Sequence, residues 1–405
     1  MFERTLKNTI EQVSATFPVL LVTGPRQVGK TTLLEDCGIN RNYVSLDDLE
    51  AKNLAINDPA LFLQTYKPPL TIDEVQYAPQ LFPYIKIAVD KSKKMGEFWL
   101  TGSQKFHLMK GITESLAGRI AILDLLGFSE KEKEQKASRQ TPFTPTFEWV
   151  EAAQASASNF DIDELYQRIW QGSFPAVVTR DGLSREIFYK AYLQTYIERD
   201  VRELVNVTKG LSFYNFIRAA AARTAQLVNY AALAKDAGID QKTAKAWLSV
   251  LETSGIIKLL EPYHSNITKR LIKTPKLYFL DTGLVAFLTG WDSPKSLSAG
   301  AMNGAMLETH VFIEILKGYW HNGQFPNIYF YRDADQREID FLIERNMTLY
   351  PIEVKRSASP KGTSFKSFAQ LAKLDKAVGS GAVLCLRNGH LPISQDVIAM
   401  NIGYL

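Results

Sequence analysis

The chain has 405 residues, too many for one ordinary core, so two or three domains are expected. Hydrophobic residues make up 46% and charged residues 22%, the balance of a soluble globular chain, and a net charge of +4 permits nucleic acid as a partner without arguing for it. Two cysteines, Cys37 and Cys385, form neither a zinc-binding spacing nor a disulfide scaffold.

The opening MFERTLKNTIEQV lacks a positive segment followed by a long apolar run, so no signal peptide is expected. The longest apolar runs, PVLLV and AILDLL, fall far short of the roughly 20 residues of a membrane span. A cytoplasmic location without membrane contact is the expectation. PVLLVT at 18–23 reads as a short buried strand, GPRQVGKTT follows, and LLEDC starts a helical pattern. This is G-x-x-x-x-G-K-[ST] in its required strand–loop–helix context. Gly24 and Gly29 let the backbone curl so that its amides face phosphate. Lys30 is expected to reach the β- and γ-phosphates of ATP, and Thr31 to place its hydroxyl on Mg2+. Pro25, Gln27 and Val28 shape the loop, Arg26 is a lesser candidate for phosphate contact, and Thr32 completes the motif.

PLTIDEV at 69–75 is an apolar strand ending in two acids. Asp73 is expected to hold magnesium, directly or through water, and Glu74 to polarise the attacking water. EFWLTGS at 97–103 gives a further strand, with Ser103 or Thr101 placed for the γ-phosphate or the water. A helical stretch, FHLMKGITESLAG, leads to Arg119 and the strand IAILDLL. Arg119 is either a finger reaching a neighbouring subunit's nucleotide or a member of a local ion pair.

Residues 129–146 carry a charge run and then Thr and Pro, and read as a solvated insertion or boundary. The stretch 148–222 is mostly helical in pattern. Within it Tyr192, Tyr196, Arg199, Asp200 and Arg202 form either a polar interface or a charged helix face with aromatic anchors, and Arg199 is a second nucleotide-sensing candidate. From 226 to 280 the pattern is a helix ending at Gly238, a second helix capped by Asp240 and ended by Gly255, and the two strands IIKLLEPY and KLYFLD around NITKRLIKT. That is a winged-helix pattern, which serves either DNA or protein partners. Lys242, Thr243, Lys245 and Trp247 near the start of the second helix are the base-reading candidates, and Lys269, Arg270 and Lys273 on the wing are the phosphate candidates.

Three strands are expected in 328–355: IYFYR, EIDFLIE and LYPIEVK. Asp340 lies in the second, while Glu353 and Lys355 share a face of the third because strand side chains alternate. Glu308 lies on the preceding helical stretch and completes the set. Glu…Asp…Glu-x-Lys is a metal-dependent phosphodiesterase pattern, with Glu308, Asp340 and Glu353 as candidate ligands of a hard cation. Lys355 is placed to help deprotonate water or to neutralise phosphate oxygens. A basic loop and helix, SASPKGTSFKSFAQLAKL, and the strand GAVLCLRNG follow.

With these residues in hand, the chain resembles a prokaryotic ATPase of the broad AAA+ class, in the group where such a core precedes a DUF4143 domain. The marks are TGPRQVGKTTLL, Asp73-Glu74, LTGSQ at 100–104, SLAGR at 115–119 and YIERDV at 196–201. The resemblance implies Walker A residues at Lys30 and Thr31, Walker B acids at Asp73 and Glu74, a sensor at Ser103 and the family's arginine before the following strand at Arg119. It also implies a restriction-endonuclease-like C-terminal region, of the PD-(D/E)xK type, with Asp340, Glu353 and Lys355 at its key positions. The expected fold is α/β throughout its two ends: an AAA+-like P-loop NTPase core over 1–147, a helical bridge over 148–222, a winged helix over 223–290, and a nuclease-like α/β domain over 291–405. The expected function is magnesium-dependent ATP hydrolysis coupled to a DNA-engaging module. The alternatives are an ATP-regulated DNA nuclease, or an ATP-switched scaffold for an unidentified protein partner. A homo-oligomer through Arg119 belongs to the same expectation.

Overall fold

The apolar run after Pro18 forms β1 (Val19–Thr23), with all five residues buried. Side chains on both of its faces are therefore covered, which is why it reads as continuous apolar sequence rather than an alternating one. The computed structural model describes residues 2–103, 112, 114–197, 210–264, 273–333 and 335–405. They divide into two compact units: Met1–Phe128 with Thr253–Gly255 and Trp320–Gly323, and Ser129–Glu252 with Ile256–Tyr319 and Gln324–Leu405.

In the first unit β1 is joined by β2 (Asn42–Ser45), β3 (Leu70–Asp73), β4 (Phe98–Gly102) and β5 (Ile120–Asp124). The sheet order is β2-β3-β4-β1-β5, and every pairing is parallel. Helix α1 (Leu6–Ser14) precedes β1, and α2 (Lys30–Cys37) follows it. Helices α3 (Leu49–Asn57), α4 (Pro59–Thr65) and α5 (Leu81–Ser92) bury Ala51, Ala55, Phe62, Phe82 and Ile85 against Leu21, Ile72 and Leu100 of the sheet. The result is an α/β domain of P-loop NTPase type. A parallel sheet of this kind presents the carboxyl ends of its strands as the natural ligand edge. β1, β3 and β4 end there at Thr23, Asp73 and Gly102, followed by Gly24, Glu74 and Ser103.

The second unit begins with a correction. The charge run after Ser129 is not solvated: Ser129, Glu130, Lys131 and Glu132 are all buried. Each charge has found a partner. Glu130 takes Lys133 and Arg168, while the Lys131 ammonium donates to the carbonyls of Ser156 and Gly403. Local charge density cannot show that the chain will supply those partners from 25 to 272 residues away.

The described residues between 148 and 222 are mostly helical. Tyr192 is buried in an aromatic cluster with Phe174 and Phe188, which is the packing reading of that residue. The side chain of Tyr196, and Arg199, Asp200 and Arg202, lie outside the described residues. Helix α6 (Tyr230–Ala237) ends at Gly238 in the left-handed region. Helix α7 (Gln241–Thr253) starts on an Asp240 cap, whose carboxylate accepts from the Thr243 amide at 2.9 Å and from the Thr243 hydroxyl at 2.6 Å. Strands β6 (Gln226–Leu227), β7 (Ile257–Leu260) and β8 (Lys276–Phe279) form an antiparallel sheet in the order β6-β8-β7.

Helix α8 (Asn303–Trp320) leads to a second sheet. Its strands are β9 (Ile328–Arg332), β10 (Glu338–Arg345), β11 (Thr348–Val354), β12 (Ala377–Val378), β13 (Gly381–Cys385), β14 (His390–Ser394) and β15 (Val397–Asn401). The order is β14-β15-β13-β11-β10-β9, with β12 beside β11. β9, β10 and β11 form an antiparallel meander, whereas β11, β13 and β15 run parallel. The helix expected after Lys361 is a kinked 3-10 segment, Gly362–Lys373, broken at Phe365.

Candidate functional sites

The loop between β1 and α2 is shaped by backbone that only certain residues tolerate. Gly24 has φ 142°, and a Cβ there would lie 2.1 Å from the Leu125 carbonyl oxygen. Gly29 opens α2 from the left-handed region. Val28 and Pro25 are buried, Gln27 and Thr32 are exposed, and Arg26 is half-buried. The Lys30 ammonium folds back onto the loop, donating to the carbonyls of Pro25 at 2.8 Å and Gly24 at 3.1 Å.

Asp73 is the hub opposite the loop. Its Oδ1 accepts from the Thr31 hydroxyl at 2.9 Å and also from the Thr101 hydroxyl. Its Oδ2 accepts from the Tyr43 hydroxyl at 3.1 Å. The Thr101 oxygen in turn accepts from the Glu74 amide at 3.1 Å. Glu74 itself sits in the left-handed region with φ 55°, and its carboxylate accepts from the Gln76 side-chain amide. Thr101 is thus committed to positioning the two acids. Ser103 is different: it is 4% exposed, and its hydroxyl has no partner among the described residues. Burying an unsatisfied hydroxyl is costly, and a ligand is a usual explanation. The Thr23 hydroxyl at the end of β1 is likewise buried without a partner among the described residues. The glycine curl, a hydroxyl and carboxylate 2.9 Å apart, and these orphaned hydroxyls fit a phosphate chain with a magnesium ion at Thr31 and Asp73.

Arg119 makes a two-pronged pair with Asp90 of α5, at 2.5 Å and 3.0 Å, and its third nitrogen donates to the Ala117 carbonyl. Within one chain, the local ion pair is therefore its arrangement.

The second constellation lies in the other unit. Asp340 on β10 accepts from the Val354 amide of β11 at 2.8 Å. The Lys355 ammonium lies 2.5 Å from Glu353 and 3.8 Å from Asp340. The Ser367 hydroxyl donates to the other Glu353 oxygen at 2.7 Å. Glu308 on α8 is near enough to Asp340 for their charges to oppose one another. Burial first, and then the Asp340 charge, push the Glu308 carboxyl up to about 7 and the Glu353 carboxyl up to about 8. Lys276 and Tyr278 on the first, and Lys355 and Ser367 on the second, pull the other way. The four residues named from the sequence thus converge. Lys276, Tyr278, Glu338 and Ser367 were not anticipated. The only sequence trace of Lys276 and Tyr278 is the alternation in KLYF, which any half-buried strand has.

A third group, Glu130, His310 and Glu314, brings three ligand-type atoms within 4.8 Å of one another. Lys133, Arg168 and Lys317 already neutralise its two carboxylates at 2.7–2.8 Å, so it is an ion-pair network rather than a cation site.

On α7, Lys242 and Lys245 are exposed, Thr243 is spent on the Asp240 cap, and Trp247 is buried against Phe213 and Phe216. Trp247 is therefore core, because its position follows the apolar stripe of α7. Lys273 is exposed, while Lys269 and Arg270 lie outside the described residues.

Comparison with known proteins divides the chain in three. Residues 16–133 match an AAA domain, residues 162–295 a domain of unknown function (DUF8612), and residues 303–405 a domain of unknown function (DUF4143). The uncharacterized proteins Rv2008c of Mycobacterium tuberculosis and Mb2031c of Mycobacterium bovis are each 28% identical over 386 residues, 95% of this chain and 80% of theirs. Among solved structures, a Walker-type ATPase of Pyrococcus abyssi is 15% identical with a TM-score of 0.44, over 71% of this chain and 96% of that one. AMPPCP-bound DnaA from Aquifex aeolicus is 14% identical with a TM-score of 0.26, over 61% and 85%. At those scores nothing is transferred from either structure to this chain. No helix among the described residues is long and apolar enough to cross a membrane.

Proposed function

Because the chain joins an AAA-type P-loop ATPase domain to a DUF4143 domain, we propose that it binds ATP with magnesium, hydrolyses it, and couples turnover to a DNA-engaging module in the second unit. The observation that supports hydrolysis most directly is the Thr31 hydroxyl 2.9 Å from the Asp73 carboxylate, beside a glycine loop that carries a lysine. Thr31 and Asp73 would hold the magnesium, which neutralises charge on the phosphates. Lys30 exchanges the carbonyls of Gly24 and Pro25 for β- and γ-phosphate oxygens. The loop amides and the α2 N-terminus take the remaining phosphate charge. Glu74 orients and polarises the attacking water, and Ser103 donates its unspent hydroxyl to the γ-phosphate or to that water. In an oligomer, Arg119 would serve a neighbouring subunit only by leaving Asp90.

The set Glu308, Asp340, Glu353 and Lys355 supports reading 291–405 as a restriction-endonuclease-like domain whose carboxylates take Mg2+ or Mn2+. Helices α6 and α7 with β7 and β8 are read as a winged helix over 223–290, with Lys242 and Lys245 toward phosphate. The helical bridge over 148–222 links this module to the ATPase core over 1–147. Cutting of DNA is the second reading, favoured by Lys355 lying against both acids. One assay separates these. The full chain is given ATP, magnesium and DNA, while phosphate release and DNA integrity are followed together. Lys30→Ala is expected to abolish turnover, and Glu74→Gln to lower it about 10²–10⁴-fold while ATP still binds. Turnover unchanged in Lys30→Ala would remove the ATPase reading. Nicks that disappear in Asp340→Asn would establish cutting.

A further inference from the structure

The carboxylates assigned to a divalent cation are backed by a strand from a different sheet. Lys276 and Tyr278 alternate on β8, so both side chains leave the same face. The Lys276 ammonium lies 2.9 Å from Glu308 Oε1 and 2.5 Å from Glu338 Oε1. The Tyr278 hydroxyl donates to the same Glu308 oxygen at 2.5 Å. Glu338 stands two residues before Asp340 on β10, so Lys276 ties the helix bearing Glu308 to the strand bearing Asp340. Lys276 is 3% exposed and Tyr278 is fully buried, its ring stacked on Phe312 one turn along α8 from Glu308. At that burial neither side chain is a surface for substrate.

A lysine is rarely buried so completely, and an ion pair in the interior stabilises little compared with well-packed apolar residues. Stability alone is therefore a weak reason for a lysine here. Two donors converging on one oxygen do something more specific. They fix the rotation of the Glu308 carboxylate and hold it beside Asp340, as outer partners orient the ligating groups of metal sites. We propose that Lys276 and Tyr278 are positioning residues of the divalent-cation site, clamping Glu308 as its third carboxylate alongside Asp340 and Glu353. The proposal rests on the reading of Asp340 and Glu353 as cation ligands. It assigns β8, a strand outside the carboxylate-bearing sheet, a direct part in how tightly that site holds its cation.

The test titrates Mn2+ alone into the nucleotide-free full chain, in an Asp73→Asn background that removes the cation ligand of the P-loop. Free and bound Mn2+ are read by electron paramagnetic resonance. The background protein is expected to bind Mn2+, and Asp340→Asn and Glu353→Gln to lose it. Lys276→Met should weaken binding roughly 10–100-fold, the usual effect of losing an outer partner, and alter the bound Mn2+ spectrum. Tyr278→Phe keeps the ring stack, removes only the hydroxyl, and should weaken binding in the same direction. Should Lys276→Met fail to fold, Tyr278→Phe decides alone. Unchanged or tighter binding in Tyr278→Phe overturns the clamp, and tighter binding in Lys276→Met would identify the lysine as a plug. Absence of Mn2+ binding in the background protein, or its persistence in Asp340→Asn and Glu353→Gln, instead removes the cation-site reading and the clamp with it.

Discussion

Thr101 and Ser103 stand two residues apart at the end of β4, yet only one hydroxyl is spent. Thr101 bridges the Glu74 amide and Asp73, so it orders the acids, while Ser103 keeps a buried hydroxyl with no partner among the described residues. That difference separates two candidates that sequence left equal. The carboxyls of the other site make a prediction at the same scale. Burial and Asp340 raise Glu308 to about 7 and Glu353 to about 8, from an ordinary 4.5. The folded protein holds these protons more tightly than the unfolded chain, so their contribution to stability is fully present below about 4.5. It is lost as pH rises through 7 and 8. The second unit, without divalent cation, is expected to melt at a lower temperature at pH 9 than at pH 6. Mn2+, taking the place of the protons, should restore it at pH 9. A melting temperature that is flat between those pH values and unmoved by Mn2+ would count against the cluster. Lys30, Thr31, Asp73, Asp340, Glu353 and Lys355 could be named as candidates from the sequence because they fall within short local motifs. Lys276 could not, since it meets Glu308 across 32 residues and only tertiary structure brings them together.

At the scale of elements, the same contrast holds for strands and for charge runs. β1, β3, β4, β9, β10 and β11 are strongly apolar or alternating, and the motifs fix their ends. β14 was missed: HLPIS is short, carries Pro392 and lies at the sheet edge, where proline is tolerated but the local signal is weak. The segment Glu130–Lys133 is the sharper failure, because EKEK looks like a solvated surface helix. In the structure Glu130 is 4% exposed, paired with Lys133 at 2.8 Å and Arg168 at 2.7 Å, and its amide donates to Glu314. Removing Glu130 takes its carboxylate partner from the buried Lys133 ammonium, which keeps the Gly172 carbonyl, while Arg168 keeps Glu134 and Glu164; breaking a buried pair costs about 3–5 kcal/mol. Glu130→Ala should therefore lower the unfolding free energy of the second unit by about 3–5 kcal/mol in urea titration. A loss below about 1 kcal/mol, the range of exposed pairs, would mean that the network is solvated after all.

At the scale of the whole chain, the proposed function puts ATP turnover and nucleic-acid engagement in different units, and coupling between them is a statement about free energy rather than distance. If ATP changes the affinity for DNA by some factor, DNA must change the affinity for ATP by the same factor. Such factors usually lie at about 5–150-fold. With magnesium saturating and Glu74→Gln suppressing hydrolysis, ATP is expected to bind with a dissociation constant shifted by a factor in that range when duplex DNA is added. The DNA affinity should shift reciprocally. Replacing Lys242 and Lys245 by glutamate should abolish the effect on ATP while leaving ATP binding in the absence of DNA unchanged, because both residues are exposed on α7 and belong to the second unit, whereas Lys30, Thr31 and Asp73 belong to the first. An ATP affinity indifferent to DNA would separate the two activities. It would leave the P-loop assignment standing and turn the second unit toward a protein partner, for which the mixed surface of Lys242, Lys245, Asp236 and Asp240 is equally suited.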